Sequence, residues 1–488
     1  MRSFRIVASG ILSVVPVCVL ILAFAQRSVM AAPGKATSHL LLATSGDPAP
    51  SGGKYRSFSS VRLNARSQVA FDAFLSGPST TGVFVVNGAT TSTVALGGDP
   101  DPTTANFGFV NNAFITDHGD VLFDANFTDT FKNDGRVTTA VARNGDPAPG
   151  GGTLTPFEHA ANGRGTIGFL AGLLGATAGE GIFRTDGTNT VTIVRDDGVA
   201  PTGGAFTSFG TPAINIRGQV AFVAQMTGGA ADFAILRGDG ADLSPVFVAN
   251  QIAPGGATFQ DFGDPLINKH GQVAVVGMLT NAASRTGLFV GDGNDAVAVA
   301  LEGQSAPKGG AYSQSFFKPL TFNDRSEVAF QAGLKGGTSN VGIFRGDGNH
   351  TTVVALAGTS APGTAGTFAS FGDMKLGQDG RVAFIATLVL GVGGVDSSNN
   401  MGIWIGTSDT DLELVARTGD VIGSQVLSRL PRQGLFGQLD MNEEGVVWVG
   451  TFASGASSVV FSRFPQPDEG IWDRSSVAAT GLVGRDRD

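Results

Sequence analysis

The chain has 488 residues and a formal net charge of −9, with 72 Gly, 35 Phe, 2 Tyr and a single Cys. That acidity argues against nucleic acid and against an anionic membrane surface as partners. Glycine and β-branched residues spread along the whole length exclude a protein of long amphipathic helices, and the size suits either several domains or one repeat array.

Residues 1–32 stand apart. "MRSFR" is a short basic start, and "IVASGILSVVPVCVLILAFA" is an apolar run interrupted by Pro16. Small-residue sites follow, with cleavage expected after Ala25, Ala31 or Ala32. This is the pattern of a signal peptide; an uncleaved anchor helix is the alternative. Cys18 lies inside this segment without the small residues that precede a lipoprotein cysteine. The mature protein is therefore expected to carry neither disulfide nor thiol chemistry. Loss of Arg2, Arg5 and Arg27 would take the net charge from −9 to −12 if the cut falls after Ala31.

From there one phrase recurs eight times. "NARSQVAF" ends at Phe71, "NIRGQVAF" at Phe222, "NDRSEVAF" at Phe330 and "QDGRVAF" at Phe384. The other copies end at Phe123, Phe169, Val275 and Val449, so most spacings are close to 53 residues. Such regularity means repeated supersecondary units. Asn64, Asn162, Asn215, Asn268, Asn323 and Asn442 open the phrase, where an amide side chain can bond the backbone ahead and start a turn. Gly119, Gly165, Gly218, Gly271, Gly380 or Gly445 stands where a left-handed residue closes that turn, with Ser67 and Ser326 in its place twice. Thr116 and Gly377 replace the Asn. The "QVAFVA" that follows is a strand apolar on both faces, so it is covered on both sides.

A second short strand ends at Phe84, Phe183, Leu236, Phe289, Phe344 or Trp404. Then come Asn87-Gly88, Asp134-Gly135, Asp186-Gly187, Asp239-Gly240, Asp292-Gly293 and Asp347-Gly348, which signal type I′ hairpins. A last strand stops at "GDPAP" or a relative of it, because proline removes a ladder donor. Four short antiparallel strands per unit make a propeller blade, packed between two neighbours. The expectation is an all-β, eight-bladed β-propeller, with seven blades as the alternative. The opening "SHLLLATSGDPAP" reads as a fourth strand without its first three, and the last unit lacks a fourth strand. Pairing them closes the ring. The domains are then 1–32 signal peptide, 33–464 propeller and 465–488 polar tail.

The phrase N-x-x-G-x-V-A-F, closest at 215–222, with the glycine-rich content and the leader, resembles the exported bacterial choice-of-anchor tandem repeat NxxGxxAF-containing proteins. The resemblance spans 38–464 and implies a secreted or surface protein. It implies no activity and transfers no functional residue. The family's members differ in a C-terminal anchor, whereas "GIWDRSSVAATGLVGRDRD" has no apolar span and no basic stop.

Candidate chemistry is sparse. Asp239, Asp292 and Asp347 in "GDG" loops, with Asp295 beside Asp292, are calcium candidates, although one carboxylate per turn is too few for a shell of roughly six to eight oxygens. "RGD" at 237–239 and 345–347 falls in the same turns. "SGGK" from Ser51 and "SAPK" from Ser305 match S-x-x-K but lie in the Gly/Pro crossover rather than at a helix start. The histidines, 39, 118, 159, 270 and 350, show no metal-ligand spacing. Asp264, Asp373 and Glu327 lie near strand ends. No catalytic residue and no cofactor is assigned, calcium being the one candidate. The sequence reads as an exported, monomeric, non-catalytic propeller at the cell surface, outside the cell or in the periplasm. Its expected partner is a polysaccharide or a surface protein, bound through loops at one end of the ring. A hydrolase or lyase acting on extracellular polysaccharide is the alternative. A catalytic version should break its own repeat with polar residues near the channel, and the short second unit and the insertion "LGVGGVDSSNN" (390–400) are where the repeat breaks.

Overall fold

The computed structural model describes residues 38–465, except 51, 104, 432–436 and the side chains of 314–319; the leader and the tail from 466 lie outside the described residues. Eight antiparallel sheets follow one another along the chain. They are blades 1 (54–96), 2 (110–142), 3 (153–195), 4 (205–248), 5 (258–301), 6 (311–356), 7 (368–417) and 8 (421–463, joined by 38–44). In blades 1 to 7 chain order is also sheet order, from the first strand at the axis to the fourth at the rim; in blade 8 the rim strand is 38–44, the first in the chain. First strands of neighbouring blades touch from blade 3 round to blade 8 and on through blade 1 to blade 2, and those of blades 3 to 8 line a central cavity of about 380 Å³ with Ile214, Ile267, Thr321, Lys375 and Asp440 among others. The fold is the expected eight-bladed β-propeller.

The second strand explains the two-faced apolar phrase. Val220–Thr227 buries alternate residues toward opposite neighbours. Phe222 packs backward with Leu170 and Ile182 of blade 3, and Phe384 packs backward with Ile343 of blade 6. The residue after each phenylalanine faces forward: Ile385 packs with Val446 and Trp448 of blade 8. Room for the large rings comes from the third strand. A Cβ on Gly402 would sit 2.5 Å from Cη2 of Trp404, which is why a glycine precedes the large residue by two positions.

The ring closes as expected. Ser38–Thr44 pairs antiparallel with Ser457–Arg463, from Ser38 opposite Arg463 to Thr44 opposite Ser458. The seam carries side-chain bonds as well: Thr44 with Ser458 at 3.0 Å, His39 Nδ1 with Ser462 Oγ at 2.8 Å, and Trp448 Nε1 donating to the same Oγ at 2.8 Å.

The turns correct two expectations. In the Asp-Gly hairpins only the glycine has positive φ: Gly135 at 88°, Gly240 at 96°, Gly293 at 98°. The Asp134 N–H donates to Val137 O, so the two central residues are Gly135 and Arg136 and the glycine comes first, the II′ rather than the I′ arrangement. The aspartate stands outside the centre because its Oδ1 accepts from the N–H groups two and three residues ahead, Arg136 and Val137 here. In blade 8 the N-x-x-G turn is one residue tighter. The Asn442 N–H donates to Gly445 O, and Gly445 has already entered a strand without positive φ. That deletion shifts the strand by one, which exchanges its faces. Trp448, not Val449, is therefore the counterpart of Phe384.

The leading Asn does more than start a turn. Its Oδ1 accepts from the backbone N–H groups two and four residues ahead, as Asn215 does from Arg217 and Gln219, both at 3.0 Å. Its Nδ2 then crosses to the next blade. Asn64 donates to Thr116 O (2.9 Å), Asn162 to Asn215 O (2.8 Å), Asn215 to Asn268 O (2.9 Å) and Asn323 to Gly377 O (3.2 Å); Asn442 closes the circle onto Asn64 O (2.9 Å). Where Thr116 and Gly377 replace Asn, the backbone bond from Asp117 to Gly163 and the Arg381 bond to Glu443 O do the joining.

Candidate functional site

Connections between strands 1 and 2 and between strands 3 and 4 form one end of the ring. These are the repeated turns, nearly uniform from blade to blade. The crossovers and the strand 2–3 connections form the other end, and there the blades differ.

The sharpest departure lies between blades 2 and 3. The residue after the phrase phenylalanine faces forward, and it is Leu170, Val223, Val276 or Ile385 in blades 3, 4, 5 and 7, but Asp72 and Asp124 in blades 1 and 2. Asp72 is 3% exposed and is bonded by Ser59 and Ser60. Asp124 opens instead onto a cleft of about 160 Å³ lined by Asn112, Thr130, Phe157, Glu158 and His159. Asn112 Nδ2 donates to its Oδ2 at 2.8 Å, Thr130 Oγ1 to its Oδ1 at 3.1 Å, and His159 Nε2 lies 3.4 Å from Oδ1. The short second unit causes this arrangement. Its strand 2–3 connection is cut to residues 126–128, so Asn126 and Phe127 turn through positive φ, 56° and 71°. A left-handed non-glycine residue costs about 1–3 kcal/mol, and such strain gathers at functional positions.

What the strain holds up is Phe127, whose side chain is 84% exposed and lies parallel to the Phe109 ring, 3° between planes and 5.9 Å between centroids. Phe74, 40% exposed, continues the platform against Phe109 at 6.0 Å, and Phe157, 52% exposed, stands across the cleft. Large apolar side chains are seldom displayed together on a monomer without a binding purpose. The result is an aromatic shelf beside a set of carboxylate, amide, hydroxyl and imidazole groups. That set accepts and donates hydrogen bonds within one small cleft.

The residues singled out in the sequence lie elsewhere. Asp239, Asp292 and Asp347 each spend Oδ1 on two backbone N–H groups of their own turn, and those bonds hold the carboxyls below the ordinary range of 3.8. Asp295 is exposed and gives its backbone N–H to Asp292. Apart from this contact within one turn, no cluster forms: among the described residues no three His, Cys, Asp or Glu side chains gather at one point. The arginines of both "RGD" copies reach the next blade, Arg237 to Gly271 O and Arg345 to Gly380 O at 3.0 Å. Lys308 pairs with Asp409. His118 and His270 are exposed turn residues. Glu327 is taken by Arg345 at 3.0 Å and by Asn323 at 2.8 Å, and burial pushes the Asp373 carboxyl up. Sequence does not link His159 to Asp124, because they belong to different units. The available signal was the aspartate standing where other copies carry an aliphatic residue.

A family model matches residues 25–133 and 81–429, most of the chain. The chain belongs to the family of unknown function DUF7453. No curated protein matches it. Among solved structures it is similar to a puromycin-hydrolyzing peptidase of Mycobacterium tuberculosis, at 11% identity and a TM-score of 0.42 over 81% of this chain and 58% of that one. It is similar also to the Dos1 propeller, at 7% and 0.39 over 88% and 95%, and to the WD40 domain of SCAP from fission yeast, at 7% and 0.38 over 88% and 98%. The chain thus spans 58% of the peptidase's length. Likenesses this distant leave the activities of those proteins with those proteins; the fold assignment rests on the strand pairing above.

Proposed function

We propose that the protein is an exported, non-catalytic binding propeller that holds a saccharide ligand at the crossover end of its ring, in the cleft between blades 2 and 3. The carrying observation is the shelf of Phe127, Phe109 and Phe74 beside Asp124, Asn112, Glu158 and His159. The apolar face of a sugar ring stacks on aromatic side chains, and its hydroxyls need closely spaced acceptors and donors; this cleft offers both. Export rests on the basic start, apolar run and small-residue sites of the leader. The repeat phrase shared with choice-of-anchor proteins supports a place at the surface, outside the cell or in the periplasm.

One observation favours a second reading. The repeat is broken by polar groups in this cleft, where His159 Nε2 lies 3.4 Å from Asp124 Oδ1 and Glu158 lines the same wall, as an acid–base pair for attack on a glycosidic bond would. One experiment separates the two. Purified mature protein is presented to arrayed glycans, with and without chelator, and the supernatant is analysed for released sugar. The binding reading expects retention that Phe127→Ala abolishes, with no product. Fragments lost on Asp124→Asn would establish the enzyme, and no retention on any glycan would reject both.

A further inference from the structure

The insertion at 390–400 builds a second cleft at the position in blade 7 that corresponds to the first one in blade 2. Its volume is about 420 Å³, and it lies between blades 7 and 8, lined by Ser370, Thr387, Ser397, Asn400, Ser428 and Arg429 among others. The strand 2–3 connection that forms its outer wall runs from 389 to 400, against 336–340 in blade 6 and 126–128 in blade 2.

This wall is built, not loose. Val395 is buried against Phe368 and Trp404 of the blade core. Asn399 Oδ1 accepts from the Asp396 N–H at 2.9 Å and from Arg417 Nη2 at 3.0 Å, and Arg417 Nε donates to Asn399 O at 2.5 Å. The loop's one acid is occupied: Asp396 Oδ1 accepts from the Ser398 N–H at 2.8 Å and from its hydroxyl at 2.5 Å. On the inner wall the Ser370 and Thr387 hydroxyls bond one another at 2.6 Å, leaving each with capacity toward the cleft.

The cleft's chemistry is opposite to that of the first. Among the described lining residues Arg429 is the one ionisable side chain, it is exposed, and no described carboxylate pairs with it. An unpaired guanidinium flanked by hydroxyls and an amide, on a chain of net charge −9, selects a planar anion by forked hydrogen bonding. We infer that the cleft between blades 7 and 8 is a second ligand subsite that takes a carboxylate-bearing sugar, a uronate, through Arg429 and the surrounding hydroxyls. It rests on the saccharide reading of the crossover end, and it adds a charge requirement that the first cleft, with its own carboxylates, does not have.

The test is binding of sodium glucuronate, sodium galacturonate, glucose, sodium acetate and an oligogalacturonate to the full mature protein, followed by ligand-observed nuclear magnetic resonance. Glucuronate should bind at least about tenfold more tightly than glucose, and its binding should weaken as salt is raised. Arg429→Gln should reduce it at least about tenfold with an unchanged melting temperature. Arg429→Lys should retain part of it. Asn400→Ala gives a second, independent loss on the outer wall. Oligogalacturonate binding more tightly than sodium galacturonate, its own monomer, supports a uronate carried in a polymer, and acetate competing as well as glucuronate would mean a site for any small acid and overturn the sugar assignment. Equal binding of glucose and glucuronate, or an Arg429→Gln variant that binds as wild type, would overturn the proposal. Loss of glucuronate binding alone, with neutral glycans still held by the Phe127 shelf, would sink this subsite and spare the proposed function.

Discussion

Asn215 shows how much one side chain carries. Its amide is 4% exposed, closes its own turn with Oδ1 and reaches Asn268 O with Nδ2. Removing it strands a buried carbonyl in the next blade and two N–H groups in its own turn, so Asn215→Ala should cost about 1–3 kcal/mol for the interblade bond alone. Asn215→Asp should cost no less, because a carboxylate offers no donor to the Asn268 carbonyl. Chemical denaturation of the purified variants measures both. His39 supplies a pH test at the seam. Burial holds its imidazole below the ordinary 6.5, against the opposing pull of Asp420. Between that lowered value and 6.5 the unfolded chain takes a proton that the folded chain refuses, so stability is lost as pH falls through this window. The Asp420 carboxyl, pushed up by burial, works in the opposite sense, from 3.8 up to its folded value. Melting temperature followed from pH 7 downward should therefore fall more steeply for wild type than for His39→Gln, and parallel curves would contradict the assignment.

At the scale of the element, the connection at 126–128 exchanges local stability for display. Phe127→Gly removes a left-handed strain of about 1–3 kcal/mol. It also loses ring stacking of about 0.5–1.5 kcal/mol and adds glycine's backbone entropy of roughly 0.5–1 kcal/mol. The terms nearly cancel, so the melting temperature should move little while glycan retention falls to background. A large destabilisation would show instead that the ring is a packing residue. The Asp-Gly hairpins were legible as turns because glycine there has one main use. Their hydrogen-bond pattern was not, since a two-residue signature does not say which pair occupies the centre. The aspartate carboxylate decides that by claiming the N–H groups ahead of it.

For the whole molecule, stability is tied to closure. Each blade packs on two neighbours, and blade 8 has its fourth strand only because residues 38–44 return to it. A chain beginning at residue 45 loses that strand and the His39–Ser462 bond, leaving Ser457–Arg463 as an exposed edge. It should unfold at lower denaturant concentration and self-associate, as read by denaturation and light scattering; a truncated chain that melts like the full one would mean the seam carries no load. The strands, their grouping in fours and the way the ends meet were legible from the sequence, because each follows from local periodicity and turn chemistry repeated in register; eight blades was the leading count, and the eight sheets of the fold decide it against seven. The tertiary structure alone decided the rest. It joined each Asn to the blade ahead, set Trp448 in phase after a one-residue deletion, and brought Asp124 to His159 and Arg429 to the insertion. These are contacts between units, and no rule of spacing within a repeat encodes which side chains two neighbouring blades present to each other.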